Sequence, residues 1–267
     1  MRIVVCAKEV LDPDAVNSYA VAGRLEIGED GRTITQAAIP RLMNAYDEQA
    51  IEAALRIRDA GVECTIAVVS VGGDQADVLK QAAAMGADEI AAITVDTSTV
   101  DYHVVARLLA AYAEHSDGAD LILCGRQASD DDQGVVPALI GEALGMPVIT
   151  IARAVEVTSD AARVTRVTPN GEEIVEANLP AVVTISNELG LPRYPTTAGR
   201  IAARRMQANV LSPDDLGLTP DDLQPRVALT KQFVPQVQGN CEMLSGDSPA
   251  QIASDLIERL RADQVLP

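Results

Sequence analysis

From Arg2 to Leu144 the chain alternates short apolar runs with stretches of helical period, and few folds accept that rhythm. Arg2–Ala7 (RIVVCA), Cys64–Val71 (CTIAVVSV), Glu89–Val95 and Asp120–Cys124 (DLILC) read as strands. Runs such as VVCA and LILC show no polar face, as expected where a strand is covered on both sides. Ala50, Ile51, Ala54 and Leu55 recur at helical spacing before Gly61, and Asn44, with Asp47 three residues on, is placed to cap that helix. A second helix follows Gly72-Gly73-Asp74 and ends near Met85-Gly86. Val100, Val104, Val105, Leu108, Leu109 and Tyr112 mark a third, begun by Ser98 and Asp101. A fourth follows the turn Gly125–Asp132 and runs to about Leu144. Repeats of this kind predict βαβ units: a Rossmann-like parallel sheet with helices on both faces.

Two stretches break the rhythm. Lys8–Met43, with Asp12-Pro13, Gly23, Gly28 and Gly31, reads as a long irregular connection, and such loops are usually functional or weakly ordered. After Pro147, the segments Ile151–Val157, Arg163–Thr168, Glu172–Ala177 and Ala181–Ser186 are strand-like with no helix between them. Pro169-Asn170-Gly171 supplies a hairpin signal, so an antiparallel strand layer is expected at the edge or end of the parallel sheet. From about Leu211 the sequence turns rich in Pro and Asp and reads as an extended arm. It closes in a helix capped by Ser248, with Pro249 in its first turn and Gln251 completing a capping box. The stripe Ile252, Leu256, Ile257 and Leu260 must bury against its own domain or against a partner subunit. The expected division is an α/β domain over residues 1–210 and an extended C-terminal arm with its helix over 211–267.

Composition removes several classes of function. A formal net charge of -18 repels phosphate backbones and anionic membranes. Aromatic residues make up 2% and Trp is absent, so base-stacking platforms have little to be built from. No run approaches the ~20 apolar residues of a membrane span. Neither nucleic-acid binding nor membrane insertion is therefore expected. Met1–Ala7 is too short for a signal-peptide core, and Cys6, Cys64, Cys124 and Cys241 are scattered, which fits a reducing, cytoplasmic setting.

In open parallel sheets, ligands bind beyond the carboxyl ends of the strands, where helix N-termini favour phosphate. That places candidate positions at Cys6-Ala7, Val71-Gly72-Gly73 and Gly125–Val136. The G-x-G-x-x-G fingerprint and the P-loop are both missing, which disfavours a common nicotinamide dehydrogenase. Asp130-Asp131-Asp132 lacks the alternation of an EF-hand loop and reads as carboxylates opposing a helix's positive end. A phosphate there would have to be held by backbone amides, with the carboxylates turned away. His103 and His115 have no nucleophile motif beside them. Such a chain fits a protein that positions a cofactor and has no substrate chemistry of its own.

Several segments, in order, resemble the electron transfer flavoprotein beta family, also known as the FixA family. They are RIVVCAKEV at Arg2–Val10, MNAYDE at Met43–Glu48, AAAMGAD at Ala82–Asp88, LILCGRQASDDD at Leu121–Asp132, and LPAVVTISNELGLPRYPT at Leu179–Thr196 with AARR at Ala202–Arg205. The resemblance implies an adenine nucleotide alpha hydrolase-like fold and a heterodimer with an alpha subunit that carries most of the redox-active FAD. It implies flavin dehydrogenases as electron donors and a quinone-linked or ferredoxin-linked acceptor. It also implies a nucleotide in this chain, AMP in ordinary members or a second FAD in electron-bifurcating ones.

Carried over residue by residue, the nucleotide contacts are Cys6, Ala7, Asn44, Ala45, Tyr46, Asp47, Val71, Gly125, Arg126, Gln127, Ala128, Ser129, Asp130, Asp131, Asp132, Gln133, Gly134, Val135 and Val136. The partner-docking segment is Leu191, Pro192, Arg193, Tyr194, Pro195, Thr196 and Thr197. The chain departs from the family at Gln133–Pro137, which loses polar side chains, and at Thr196-Thr197-Ala198-Gly199, which offers no apolar anchor. Tyr46-Asp47, Arg126-Gln127 and Phe233–Gly239 look more like bifurcating members, whereas Arg193-Tyr194-Pro195 looks more like ordinary ones. A regulatory adenine-nucleotide module of the universal stress protein type would share the sheet and phosphate loop. It would not explain the Pro-Arg-Tyr block or the arm.

Overall fold

The computed structural model describes residues 1–116, 118–235 and 241–266. It has two compact units, Met1–Gln232 and Phe233–Pro267.

The first unit begins with β1 (Arg2–Cys6), followed by β2 (Glu9–Leu11), α1 (Pro13–Val21) and β3 (Arg41–Met43). The stretch read as irregular therefore contains a helix and an antiparallel β2–β3 ribbon. Helix α1 buries no residue, so it leaves no apolar period in the sequence; its start is fixed by Asp12, whose carboxylate accepts the Asp14 and Ala15 N–H groups. Then come α2 (Ala45–Asp59), β4 (Thr65–Gly72), α3 (Ala76–Met85), β5 (Glu89–Thr94), α4 (Tyr102–His115), β6 (Leu121–Gly125) and α5 (Val136–Leu144). Asp101, not Ser98, caps α4 by accepting the Val104 N–H at 3.0 Å. Ser98 closes a turn on Asp96 instead.

Three antiparallel strands follow, β7 (Val148–Val157), β8 (Ala161–Thr168) and β9 (Gly171–Asn178), with the expected turn between β8 and β9. The chain continues through β10 (Ala181–Ile185), α6 (Thr197–Arg205) and β11 (Asn209–Leu211). Strand β10 does not join the antiparallel group. It runs parallel to β6 and β7 and sits between them. All five of its residues are buried, which suits a central strand and not an edge. One nine-stranded sheet results, in the order β11-β5-β4-β1-β6-β10-β7-β8-β9.

Helices cover both faces, giving the expected Rossmann-like α/β architecture. On one face Ile51 and Leu55 of α2 and Leu79 of α3 pack with Ile3, Val5, Val68 and Leu121. On the other, Val104 and Leu108 of α4 and Ile140 of α5 pack with Val4, Val69 and Ile122. Neighbouring residues of β1 thus serve opposite cores, as strand geometry requires. Each such aliphatic side chain contributes about 1.5–3 kcal/mol on burial.

The first part of the expected arm belongs to this unit. Leu218 is buried, and the Arg226 and Val227 N–H groups donate to Asp101 Oδ2 at 2.7 and 2.8 Å. The second unit carries α7 (Pro249–Ala262), capped by Ser248 Oγ, which accepts the Gln251 N–H at 3.3 Å. Its Leu256 and Ile257 are exposed. Of the stretch 233–239 singled out above, positions 236–239 lie outside the described residues. No described helix is long and apolar enough to cross a membrane.

Candidate functional site

Strand β1 is flanked by β4 on one side and β6 on the other. The chain winds outward from β1 through β4 to β5 and then returns to β6 across the sheet, so the switch in winding falls at β1. A crevice is expected outside the carboxyl ends of β1 and β6. Cys6 and Cys124 are register partners there, so Ala7-Lys8 and Gly125-Arg126 emerge side by side.

The first turn of α2 closes over these strand ends. The buried Asp47 carboxylate accepts the Lys8 N–H at 2.8 Å through Oδ2 and the Gly125 N–H at 2.9 Å through Oδ1. Gly125 is required by this approach, since a Cβ there would stand 2.6 Å from Tyr46 Cβ and also strike the Asp47 carboxylate. Burial pushes the Asp47 carboxyl up to about 7, against the opposing pull of the Lys8 N–H, the Asn44 side chain and the Gly125 N–H. Asn44 is buried but makes no side-chain cap for α2. Its amide instead donates to the Gln127 carbonyl at 2.8 Å and accepts the Ser129 N–H at 3.2 Å. One residue thus fixes the path of the loop after β6.

That loop disposes of its acids. Lys8 Nζ donates to Asp130 Oδ1 at 2.7 Å and to Asp131 Oδ2 at 3.4 Å, while Gln127 Nε2 donates to Asp132 Oδ1 at 2.7 Å. Gly134, at φ +62°, brings the chain within 2.6 Å of the Arg126 carbonyl at the place a Cβ would occupy. Helix α5 then starts with neither a side-chain cap nor an acid in its first turn. Pro137 lies in that turn, where a missing N–H costs nothing. Arg126 donates its N–H to the Ile185 carbonyl and Nη1 to Ser186 Oγ, and its guanidinium lies 5.2 Å over the Tyr46 ring. The hydrogen bond with Cys6, together with burial, holds the Cys124 thiol well above its ordinary range, so it is inert floor. Nearby, Ser70 Oγ on β4 and Gln75 Oε1 before α3 are buried without a partner.

The structure therefore gathers Cys6, Ala7, Asn44, Ala45, Tyr46, Asp47 and the run Gly125–Val136 at one end of the sheet, with Val71 on the adjoining β4. His103 stands apart and pairs with Asp101 at 3.2 Å. Lys8 and Ser186 take part and were not singled out from the sequence. For Lys8 the signal was present, because it directly follows a strand end inside the CAKE segment.

The segment Leu191–Thr197 is held by the middle and C-terminal part of α2. Buried Glu52 accepts the Arg193 N–H at 3.1 Å and Nε at 2.7 Å, and Arg193 Nη2 reaches Asp59 at 2.7 Å. Burial pushes the Glu52 carboxyl up, but Arg193 and Arg56 outweigh it and hold the group below its ordinary value. Arg56 Nη1 donates to the Leu189 carbonyl at 2.8 Å. Thr196 caps α6 through the Gly199 N–H, and Thr197 opens that helix, so this end of the segment is ordered structure. Pro192 and Pro195 are half-buried. Leu191 and Tyr194 project, 89% and 90% exposed, and supply the apolar surface that Thr196–Gly199 lacks.

The fold defines the class, an open α/β protein with its switch in winding at β1, the place where such sheets hold their ligands. Comparison with known proteins supplies the particular family. Residues 32–216 match the electron transfer flavoprotein domain. The chain is 31% identical over 272 residues, covering all of both chains, to CarD, a subunit of the caffeyl-CoA reductase-Etf complex of Acetobacterium woodii. It is 31% identical over 282 residues, again covering all of both chains, to the electron transfer flavoprotein subunit beta of Megasphaera elsdenii. To that of Bacillus subtilis it is 32% identical over 225 residues, 83% of this chain and 86% of the other. The chain belongs to the electron transfer flavoprotein family, among its beta subunits. Membership carries electron transfer, association with flavin and an alpha-subunit partner.

Proposed function

We propose that this chain holds an adenine nucleotide in the crevice between β1 and β6 and, paired with an alpha subunit bearing FAD, carries electrons in the cytoplasm. Flavin dehydrogenases supply the electrons, and a quinone-linked or ferredoxin-linked partner removes them. One arrangement carries the reading. Asn44 and Asp47 fix the strand ends and the following loop, the three loop carboxylates are engaged by Lys8 and Gln127, and the first-turn N–H groups of α5 keep no side-chain cap. That donor set fits a phosphate, and the orphaned Ser70 Oγ and Gln75 Oε1 fit a polar ligand beside β4.

The residues that would hold the nucleotide are Cys6, Ala7, Asn44–Asp47, Val71 and Gly125–Val136. Between AMP and a second FAD, the guanidinium of Arg126 over Tyr46 favours FAD, since it offers a stacking surface to a large ring. CarD is a subunit of a reductase complex, which supports a reductase among the partners of this chain. FAD, when bound, accepts and donates electrons; the chain's own part is to bind, orient and shield it. Leu191 and Tyr194 present the dehydrogenase-docking surface, and the apolar stripe of α7 packs on the alpha subunit. Co-expression with the alpha subunit tests the pairing. A yellow heterodimer with a flavin spectrum is expected, and a colourless complex refutes the reading.

A further inference from the structure

We propose that Lys8 is a positioning residue for nucleotide phosphate: it draws Asp130 and Asp131 aside so that an acidic loop can accept an anion. The inference rests on the nucleotide reading above and adds the residue that makes it electrostatically possible. The loop carries three consecutive carboxylates in a chain of net charge -18, a setting that repels phosphate. Asp132 is taken by the neutral Gln127 amide. Lys8 is the cation paired with Asp130 and Asp131 among the described residues.

The guanidinium of Arg126, the other cation beside this loop, is committed elsewhere, to Ser186 and to the Tyr46 ring. Lys8 itself is well placed, because its backbone is fixed on both sides: its N–H donates to Asp47 and its carbonyl accepts the Asn44 N–H. Its ammonium therefore starts from a rigid point at the strand end and reaches over the loop. Its side chain is 44% exposed, so removing the charge leaves the core untouched.

The test compares AMP with adenosine, which lacks only the phosphate, by titration calorimetry on the full chain paired with its alpha subunit and stripped of nucleotide. Lys8→Gln is expected to weaken AMP about tenfold, the effect of one uncompensated charge, while adenosine changes less than about twofold. The AMP loss grows as ionic strength falls. Lys8→Arg keeps AMP affinity, and Asp130→Asn with Asp131→Asn in the Lys8→Gln background restores it. Equal losses for AMP and adenosine, or failure of the Asn pair to restore AMP, overturn the role of Lys8 while leaving the nucleotide site standing. Wild-type protein that binds none of adenosine, AMP and FAD overturns the nucleotide reading and this inference with it.

Discussion

The carboxylate of Asp47, on α2, lies 2.9 Å from the amide nitrogen of Gly125, at the end of β6. Its second oxygen takes the N–H of Lys8, just beyond the neighbouring strand β1, at 2.8 Å, so one buried side chain bridges the ends of β1 and β6. Asp47→Ala leaves both amides without that acceptor and is expected to cost about 1–3 kcal/mol in urea unfolding.

The same residue sets a pH dependence. Its ordinary value is 3.8 and the folded value about 7, so the folded chain holds this proton where the unfolded chain has released it. Stability contributed here is therefore greatest at acid pH, falls as pH rises from about 4 to 7, and is flat above that window. Asp47→Asn removes that slope. Unfolding free energies of the two proteins across pH 4–8 check it, and parallel curves would contradict it.

Gly125→Ala places a Cβ against the Asp47 carboxylate and the Tyr46 backbone, the latter at 2.9 Å. Neither is the free end of a flexible chain, so α2 must shift. A cost of about 1–3 kcal/mol is expected, together with loss of bound nucleotide, read by thermal unfolding and by nucleotide release.

Arg193 and Glu52 hold the segment that presents Leu191 and Tyr194. Glu52→Ala is expected to destabilise the chain by about 2 kcal/mol, between a surface pair and a fully buried one, because Arg193 is partly exposed. Limited proteolysis should then cut within residues 189–195. With the Glu52 carboxyl held below 4.5, its stabilisation is complete above that pH and fades as pH falls through the folded value. By contrast, Leu191→Ser with Tyr194→Ser should alter stability by less than about 0.5 kcal/mol, while raising KM for the dehydrogenase.

Much of this was legible in the chain. The parallel strands announced themselves because they are buried on both faces and their cores are unbroken apolar runs such as Ile3–Cys6 and Leu121–Cys124. Helix α1 was not legible because it buries nothing. Strand β10 looked like its antiparallel neighbours, since a short apolar run carries no mark of direction. Asn44 read as a cap, and only the folded loop shows that its amide is spent on Gln127 and Ser129. The place of Lys8 after the first strand was legible but its pairing was not, because its partners lie more than a hundred positions away, at Asp130 and Asp131.

The most direct measurement is the nucleotide content of the heterodimer purified with its alpha subunit, released by acid and counted by chromatography. The account predicts FAD together with one further adenine nucleotide for each copy of this chain, either AMP or a second FAD, and its loss in Gly125→Ala. A heterodimer carrying a single FAD and no other adenine nucleotide would contradict it.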